Sequence, residues 1–297
     1  MNKGGVFGIT VLYEPTKEHI ENCLRNSLLL GNMVAVVNGS YTPLLDRLSD
    51  TGNIFLICKD FNSGIAKATN DGIRHVLSSH EGCFIALLDQ DTLLPNNYLK
   101  LMDIYAEKSD LLNIGILAPS YVNPKTKVKS VALNFERWSF SRRAVSEDLQ
   151  LNSAPIASGS LFHSDLVCDV GLLEEKLFID YVDVDFCFRV LVRGYKNYVS
   201  SQVVMQHQLG EPKIFYFFGF LIKPTFHAPV RRYYIARNRL YVISKYGLRY
   251  PSLIAFEFLA ISLDLFRIIF YEDRKFAKIH KYLIGFRDFF LRKFGSF

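Results

Sequence analysis

The 297-residue chain has no uninterrupted apolar run of about 18 residues, so no membrane-spanning helix is expected. It has no dense basic stretch and no recognised nucleic-acid module. Its 35 Lys and Arg against 29 Asp and Glu leave a net charge of +6, too mild to point to nucleic acid, and no nucleic-acid partner is expected. Five cysteines, Cys23, Cys58, Cys83, Cys168 and Cys187, are scattered, odd in number and without a Cys-x-x-Cys pair. They read as reduced, mostly core thiols of a cytosolic protein. No internal repeat or low-complexity segment occurs. No signal peptide is read at the start, where Met1-Asn2-Lys3-Gly4-Gly5 leads directly into a strand-like run. What is abundant is aromatic surface: 25 Phe and 16 Tyr exceed what a core of this size needs, which suggests that part of them faces a membrane or a partner.

Strand-like and helix-like segments alternate through the first half. Residues 6–13, 33–37, 54–58 and 84–88 are short apolar runs. Residues 16–30 and 65–78 show helical spacing, and 43–49 read as a short helix. Alternation with tight turns predicts a mostly parallel sheet covered by helices. In such sheets ligands bind beyond the carboxyl ends of the strands. Tyr13-Glu14, Asn38-Gly39-Ser40, Asn62 and Asp89-Gln90-Asp91 would gather there. Farther on, helices are expected over 95–104, 165–170 and 179–192. Strands are expected over 114–118, 130–133, 157–162 and 195–204, and a polar loop over 136–153. The character changes near His207. Residues 214–222 are intensely aromatic, 229–246 are basic and aromatic at helical spacing, and 252–271 form an apolar helix interrupted by Glu257, Asp264 and Arg267. Two regions are therefore expected, residues 1–210 and a helical region over 211–297.

Two acidic clusters carry the chemistry. In Phe84-Ile85-Ala86-Leu87-Leu88-Asp89-Gln90-Asp91, an apolar strand runs into carboxylates at i and i+2, which point the same way. Two such carboxylates need a countercharge, and a hard divalent cation carrying a phosphate substrate supplies one. Asp-x-Asp alone also fits two solvated aspartates at a strand end. The second cluster is Phe178-Ile179-Asp180-Tyr181-Val182-Asp183-Val184-Asp185. On a helix, Asp180 and Asp183 would share a side while Asp185 turns away. Acids at a helix start also simply complement its dipole. The aromatic neighbours make the place partly dry, where a carboxylate can serve as general base.

These motifs occur in a telling order: Ile9-Thr10-Val11-Leu12-Tyr13, Asn38-Gly39-Ser40, Asn62-Ser63-Gly64-Ile65-Ala66-Lys67-Ala68-Thr69-Asn70, Leu87-Leu88-Asp89-Gln90-Asp91, Ser158-Gly159-Ser160, the second acidic cluster and His207-Gln208-Leu209-Gly210. The set resembles the family 2 glycosyltransferases with a GT-A fold. Asp-Gln-Asp, Phe-Ile-Asp-Tyr-Val-Asp and Arg232-Tyr233-Tyr234-Ile235-Ala236-Arg237-Asn238-Arg239 are most similar to bacterial rhamnosyltransferases. The resemblance covers roughly residues 6–245. It implies an α/β fold, a Rossmann-like mixed, mostly parallel sheet flanked by helices, with a C-terminal helical, basic-aromatic extension. It also implies that Asp91 coordinates Mg²⁺ or Mn²⁺, that Asp89 contacts the metal or the ribose, and that His207 completes the metal site. Asp183 would be the catalytic base of an inverting displacement. Thr10, Tyr13 and Glu14 would line the base and ribose pocket, with Asn38 in the next turn and Gln90 at the acidic tip. Asn62, Gly64, Lys67 and Asn70 would form the nucleotide-side loop, although Lys67 also reads as a solvated helix cation. Arg231, Arg232, Arg237 and Arg239 would hold a diphosphate, or face anionic lipid. The chain departs from the family at Val37, where an Asp is usual, and at Val182, where Glu is common.

The implied partners are a nucleotide-sugar donor, dTDP-L-rhamnose, and a polyprenyl-linked saccharide acceptor of surface-polysaccharide synthesis. UDP-galactofuranose or a UDP-hexose is the alternative donor, and a non-catalytic sugar-nucleotide or polysaccharide-binding subunit is the alternative role. From Arg274 onward, Lys275, Lys278, Lys281 and Arg287 interleave with Phe276, Tyr282, Phe286 and Phe290. Basic amphipathic helices of this kind lie on anionic membranes, here the cytoplasmic face of the inner membrane. The other reading packs this helix on the catalytic domain or on a second subunit of a homo-oligomer.

Overall fold

The computed structural model describes residues 5–124, 127–206, 215–217 and 220–297. Two units emerge. The first runs through Asn134, resumes over Arg142–Glu175 and again from Val182. The second gathers Phe135–Ser141, Lys176–Tyr181 and the C-terminal part of the chain.

In the first unit the elements are β1 (Val6–Leu12), α1 (Lys17–Leu30), β2 (Gly31–Asn38), α2 (Asp46–Ser49), β3 (Ile54–Lys59), α3 (Ile65–Ser79), β4 (Phe84–Leu88), α4 (Lys100–Leu112), β5 (Ile114–Val122), β6 (Val131–Phe135), β7 (Phe140–Ala144), β8 (Leu149–Leu151), β9 (Ser160–His163), α5 (Ser164–Val170), α6 (Val182–Val192) and β10 (Lys196–Gln206), with the 135–141 turn between β6 and β7 assigned to the second unit. Eight strands form one sheet in the order β3-β2-β1-β4-β9-β5-β10-β8. β3, β2, β1 and β4 run parallel, β9 is antiparallel to both β4 and β5, and β10 returns parallel to β5. This is the mixed, mostly parallel sheet flanked by helices that the alternating pattern predicts. Every residue of β1 and of β4 is buried, because helices cover both faces. The chain leaves β1 toward β2 on one side, and β4 enters on the other. The carboxyl ends of β1 and β4 therefore flank a topological switch point, the usual place for a ligand crevice.

Three sequence expectations shift. The helix expected from residue 95 begins at Lys100. Before it, i→i+3 turns from Pro95 to Tyr98 and from Asn97 to Lys100 wind the chain more tightly, and the Tyr98 hydroxyl is anchored on the Gly159 carbonyl at 2.8 Å. The polar stretch over 136–153 holds β7 and β8. Their sequences look loop-like because β7 is largely exposed and β8 is an edge strand, paired only with β10. The helix expected from residue 179 begins at Val182, for a reason given below.

The second unit contains the short hairpin β11 (Phe215–Phe217) and β12 (Phe220–Ile222) and the helices α7 (Pro229–Tyr246), α8 (Pro251–Phe270) and α9 (Lys275–Phe290). Helix α9 lies against α7. Gly285 permits the approach, since a Cβ there would stand 2.4 Å from the Tyr233 carbonyl oxygen. The interior of this unit is charged as well as aromatic. Arg232 pairs with Glu272 at 2.6 Å, Lys278 with Glu272 at 3.0 Å, and Arg239 with Glu257 at 2.9 Å and Asp264 at 3.0 Å. Buried charges persist only when paired. Burial raises the Glu257 carboxyl above its ordinary range even with Arg239 beside it. Replacing Arg239 with Met would leave the buried Glu257 carboxylate without a charged partner, while Asp264 keeps Arg232 at 3.5 Å, an expected loss of about 3–5 kcal/mol. Thermal unfolding followed by circular dichroism checks this, and an unchanged melting temperature would show that the network contributes nothing.

Candidate active site

The switch point is built by polar side chains that tie adjacent strand ends together. Beyond β4 the tip Asp89-Gln90-Asp91 turns on a Thr92 N–H to Asp89 carbonyl bond of 3.0 Å. The Gln90 side-chain oxygen accepts the Tyr13 N–H at 2.9 Å, joining the β4 tip to the end of β1. Asn26 of α1 donates to the Thr92 carbonyl at 2.9 Å and accepts the Leu94 N–H at 3.0 Å. Asn22, one turn earlier, reaches the Asp91 carbonyl at 3.5 Å. The Thr92 hydroxyl bonds that of Ser158, and the Gly159 N–H donates to Leu87 at 2.8 Å. The backbone of the tip is thus held from α1, β1 and the strand beside it, while Asp89 and Asp91 are exposed.

The expected site residues fall into three groups. Tyr13 and Glu14 follow β1, and Asp89, Gln90 and Asp91 follow β4, on the two sides of the switch point, with Tyr13 and Gln90 hydrogen-bonded across it. Glu14 takes a left-handed φ of 46° as the chain leaves β1. A second group shapes the backbone around it. The Asn38 amide donates to Asn62 at 3.0 Å, and its oxygen accepts the Ser63 N–H and hydroxyl at 2.8 and 2.9 Å. These two asparagines bind each other and the loop. Gly64, with φ 86°, supplies the turn into α3. Thr10 is buried inside β1, short of the strand end. The third group turns elsewhere. Asn70 is fully buried and exchanges bonds with Leu173, donating at 2.9 Å and accepting at 2.9 Å, while also donating to Glu175. Its amide holds the 173–175 segment, a correction to its expected place beside a nucleotide. Lys67 stands 3.6 Å from Glu175. Burial alone would raise the Glu175 carboxyl, but Asn70, Arg74 and Lys67 outweigh it and hold it below its ordinary value.

Arg232 also needs correction. It is buried in the second unit, donating to Thr225 and Glu272. Arg237 and Arg239 are interior as well, and only Arg231 is substantially exposed, paired with Asp180 at 2.9 Å. These arginines neutralise and cap interior groups instead of offering a diphosphate cradle. His207 lies outside the described residues.

Asp183 sits half-buried in the first turn of α6, where its Oδ1 accepts the Val184 N–H at 2.9 Å. The residues before it depart from helix. Phe178, Asp180 and Tyr181 have φ of 66°, 62° and 64°, a conformation that costs non-glycine residues about 1–3 kcal/mol each. The second unit holds this bend in place. The Asn238 amide lies 2.9, 2.8 and 2.9 Å from the carbonyl oxygens of Leu177, Ile179 and Asp180. Arg237 donates to the Leu177 carbonyl at 3.0 Å, and Tyr181 donates to Glu257 at 2.8 Å. Asp180 is committed to Arg231, so the side shared by Asp180 and Asp183 on a helix does not exist. Asn22, Asn26, Glu175 and Asn238 are the functional supports that sequence reading missed. Asn26 left a signal, as a polar residue inside the buried stripe Ile20, Cys23, Ser27 and Leu30 of α1.

The chemistry of the tip suits one kind of metal. Among the described residues, no group of three His, Cys, Asp or Glu could hold an ion alone. Two exposed carboxylates match Mg²⁺ or Mn²⁺ bound through one or two carboxylates plus substrate phosphates. Asp89 and Asp91 therefore fit a cation that arrives with a diphosphate, and do not by themselves make a closed cage.

No protein-family model matches the chain. The dTDP-rhamnosyl transferase RfbF of Shigella flexneri is 30% identical over 245 residues, covering 81% of this chain and 80% of that protein. Two solved structures share the fold. One is GalNAc-T7 with UDP, GalNAc and Mn²⁺, at TM-score 0.58 and 12% identity, covering 82% of this chain and 48% of that one, so the chain spans about half its length. The other is residues 1–349 of TarS from S. aureus, at TM-score 0.56 and 13% identity, covering 96% of this chain and 80% of that one.

Proposed function

The chain belongs to the GT-A glycosyltransferases related to dTDP-rhamnosyl transferase, and on that premise we propose that it transfers L-rhamnose from dTDP-L-rhamnose to a lipid-linked surface-polysaccharide acceptor. The observation that carries this reading is the pair of exposed carboxylates at the switch point, with the β4 tip tied to β1 through Gln90 and Tyr13. Tyr13 and Glu14 line the nucleoside side of that crevice. Asp89 and Asp91, with His207 as a further ligand, would hold Mg²⁺ or Mn²⁺, which would supply positive charge opposite the leaving nucleoside diphosphate. Asp183 accepts the proton of the acceptor hydroxyl as its oxygen bonds to the anomeric carbon. The bond to the diphosphate oxygen breaks in the same displacement, and the anomeric centre inverts. Asn38, Asn62, Asn22 and Asn26 keep the surrounding backbone rigid, which lets electrostatic stabilisation act without reorganisation. Attachment to the cytoplasmic face of the inner membrane would bring the protein to a polyprenyl chain that cannot leave the bilayer.

A panel of nucleotide sugars offered to the purified protein with Mn²⁺ and an acceptor tests the donor. Release of TDP with rhamnose incorporation is the expected result. Release of UDP from UDP-galactofuranose or a UDP-hexose, without TDP, would overturn the rhamnose assignment.

A further inference from the structure

Helix α8 is inverted relative to a soluble surface helix. Its acids Glu257 and Asp264 point inward to Arg239, whereas Phe258 (60% exposed), Leu259 (53%), Leu263 (39%) and Phe270 (61%) face out. With Ala255 and Ser262 between them, these residues follow helical spacing along one face. No charge interrupts that face from Ala255 to Phe266, and the whole stripe is about 20 Å long at the helical rise. Among the described residues no helix is long and apolar enough to cross a membrane.

Both ends of the stripe are basic. The 135–141 loop is fixed to the start of α8 by the Ser252 N–H on the Arg137 carbonyl at 3.2 Å and by Phe256 edge-on to Phe135 and Phe140. That places Arg137 and Arg249 around an open pocket, with Arg137 5.4 Å from the ring of Trp138, itself 75% exposed. At the other end Arg267 and, past the Glu272-Asp273 pair held by Lys278, Arg274 and Lys275 follow, beside Phe276 at 91% exposure. Residues 208–297 hold sixteen Lys and Arg against six Asp and Glu, a net of +10, so the preceding 207 residues are net −4.

The geometry points to α8, not α9, as the surface that lies on an anionic bilayer, with its apolar face in the acyl boundary and Arg137 and Arg249 on headgroup phosphates. An apolar stripe flanked by cations and interfacial aromatic residues is the pattern of a helix lying in the interface plane. α9, whose first turn supplies Lys275 and Phe276 to that end, exposes Leu283 and Phe290 seven positions apart and turns Lys278, Tyr282 and Asp288 into the unit, with Lys278 paired to Glu272. The inference deepens the membrane attachment proposed above and rests on it.

Flotation of the full chain with vesicles of phosphatidylglycerol and phosphatidylcholine in equal parts tests it. Wild type should bind these vesicles, bind pure phosphatidylcholine far less, and lose binding as salt rises. Leu259→Glu and Leu263→Glu should each lower partitioning by roughly tenfold or more, and Arg137→Gln with Arg249→Gln should remove most of the salt-sensitive part. Transfer to a soluble, lipid-free acceptor should persist in all three variants, so its absence from wild type would sink the transferase reading and leave the vesicle result standing. Unchanged flotation of the α8 variants, no binding by wild type, or a dimer that the α8 variants split without affecting vesicle binding would each overturn the inference.

Discussion

Replacing Asp183 with Asn is expected to lower turnover by about two to four orders of magnitude, the range for loss of a general base. The substitution keeps shape and an oxygen acceptor for the Val184 N–H, so the first turn of α6 should survive. What it removes is the proton acceptor. The bend ahead of it is set by Asn238 and Arg237 and does not depend on the Asp183 carboxylate. Affinity for the nucleoside diphosphate should therefore stay near the wild-type value, because the proposed diphosphate ligands lie at the β4 tip. Steady-state turnover with saturating donor, paired with calorimetric titration of TDP, separates the two quantities. Near-normal turnover would remove Asp183 from the mechanism. Equal loss of turnover and nucleotide affinity would mean that the substitution disturbs the fold.

Much of the architecture around the switch point was legible because strands buried on both faces leave long apolar runs, and the turns after them leave Asn, Gly and Asp. Residues 84–88 running into Asp89 show this best, since burial and a polar strand end are both local properties. The destination of buried polar side chains was not legible. Arg232, Arg237 and Arg239 read as a basic helix face, yet Arg232 and Arg239 turn inward to Glu272, Glu257 and Asp264, 18 to 40 positions away, and Arg237 to the Leu177 carbonyl 60 positions back. Asn70 read as part of a nucleotide loop and instead holds a segment more than a hundred residues distant. The start of α6 was misplaced for the same reason. A local pattern favoured helix from residue 179, and carbonyl bonds from Asn238 impose a left-handed bend that no local pattern encodes. The role of α8 was hidden too, because an apolar helix interrupted by Glu257 and Asp264 reads alike with its acids facing in or out.

Alanine at both Asp89 and Asp91 is expected to have the other large effect. The tip's backbone is secured by Asn22, Asn26, Gln90 and the turn at Thr92, so removing two exposed carboxylates should leave the fold standing. It would also take away the oxygen ligands that complete a cation shell around a diphosphate. Turnover should fall by at least about a hundredfold, since several kcal/mol of charge stabilisation at the leaving group go with the ion. The most direct test is calorimetric titration of TDP into wild type and the double variant, with and without Mn²⁺. The account expects wild-type affinity to rise strongly with Mn²⁺ and the double variant to show no such rise. An equal Mn²⁺-dependent gain in both proteins would contradict the claim that the acidic tip holds the diphosphate through a cation.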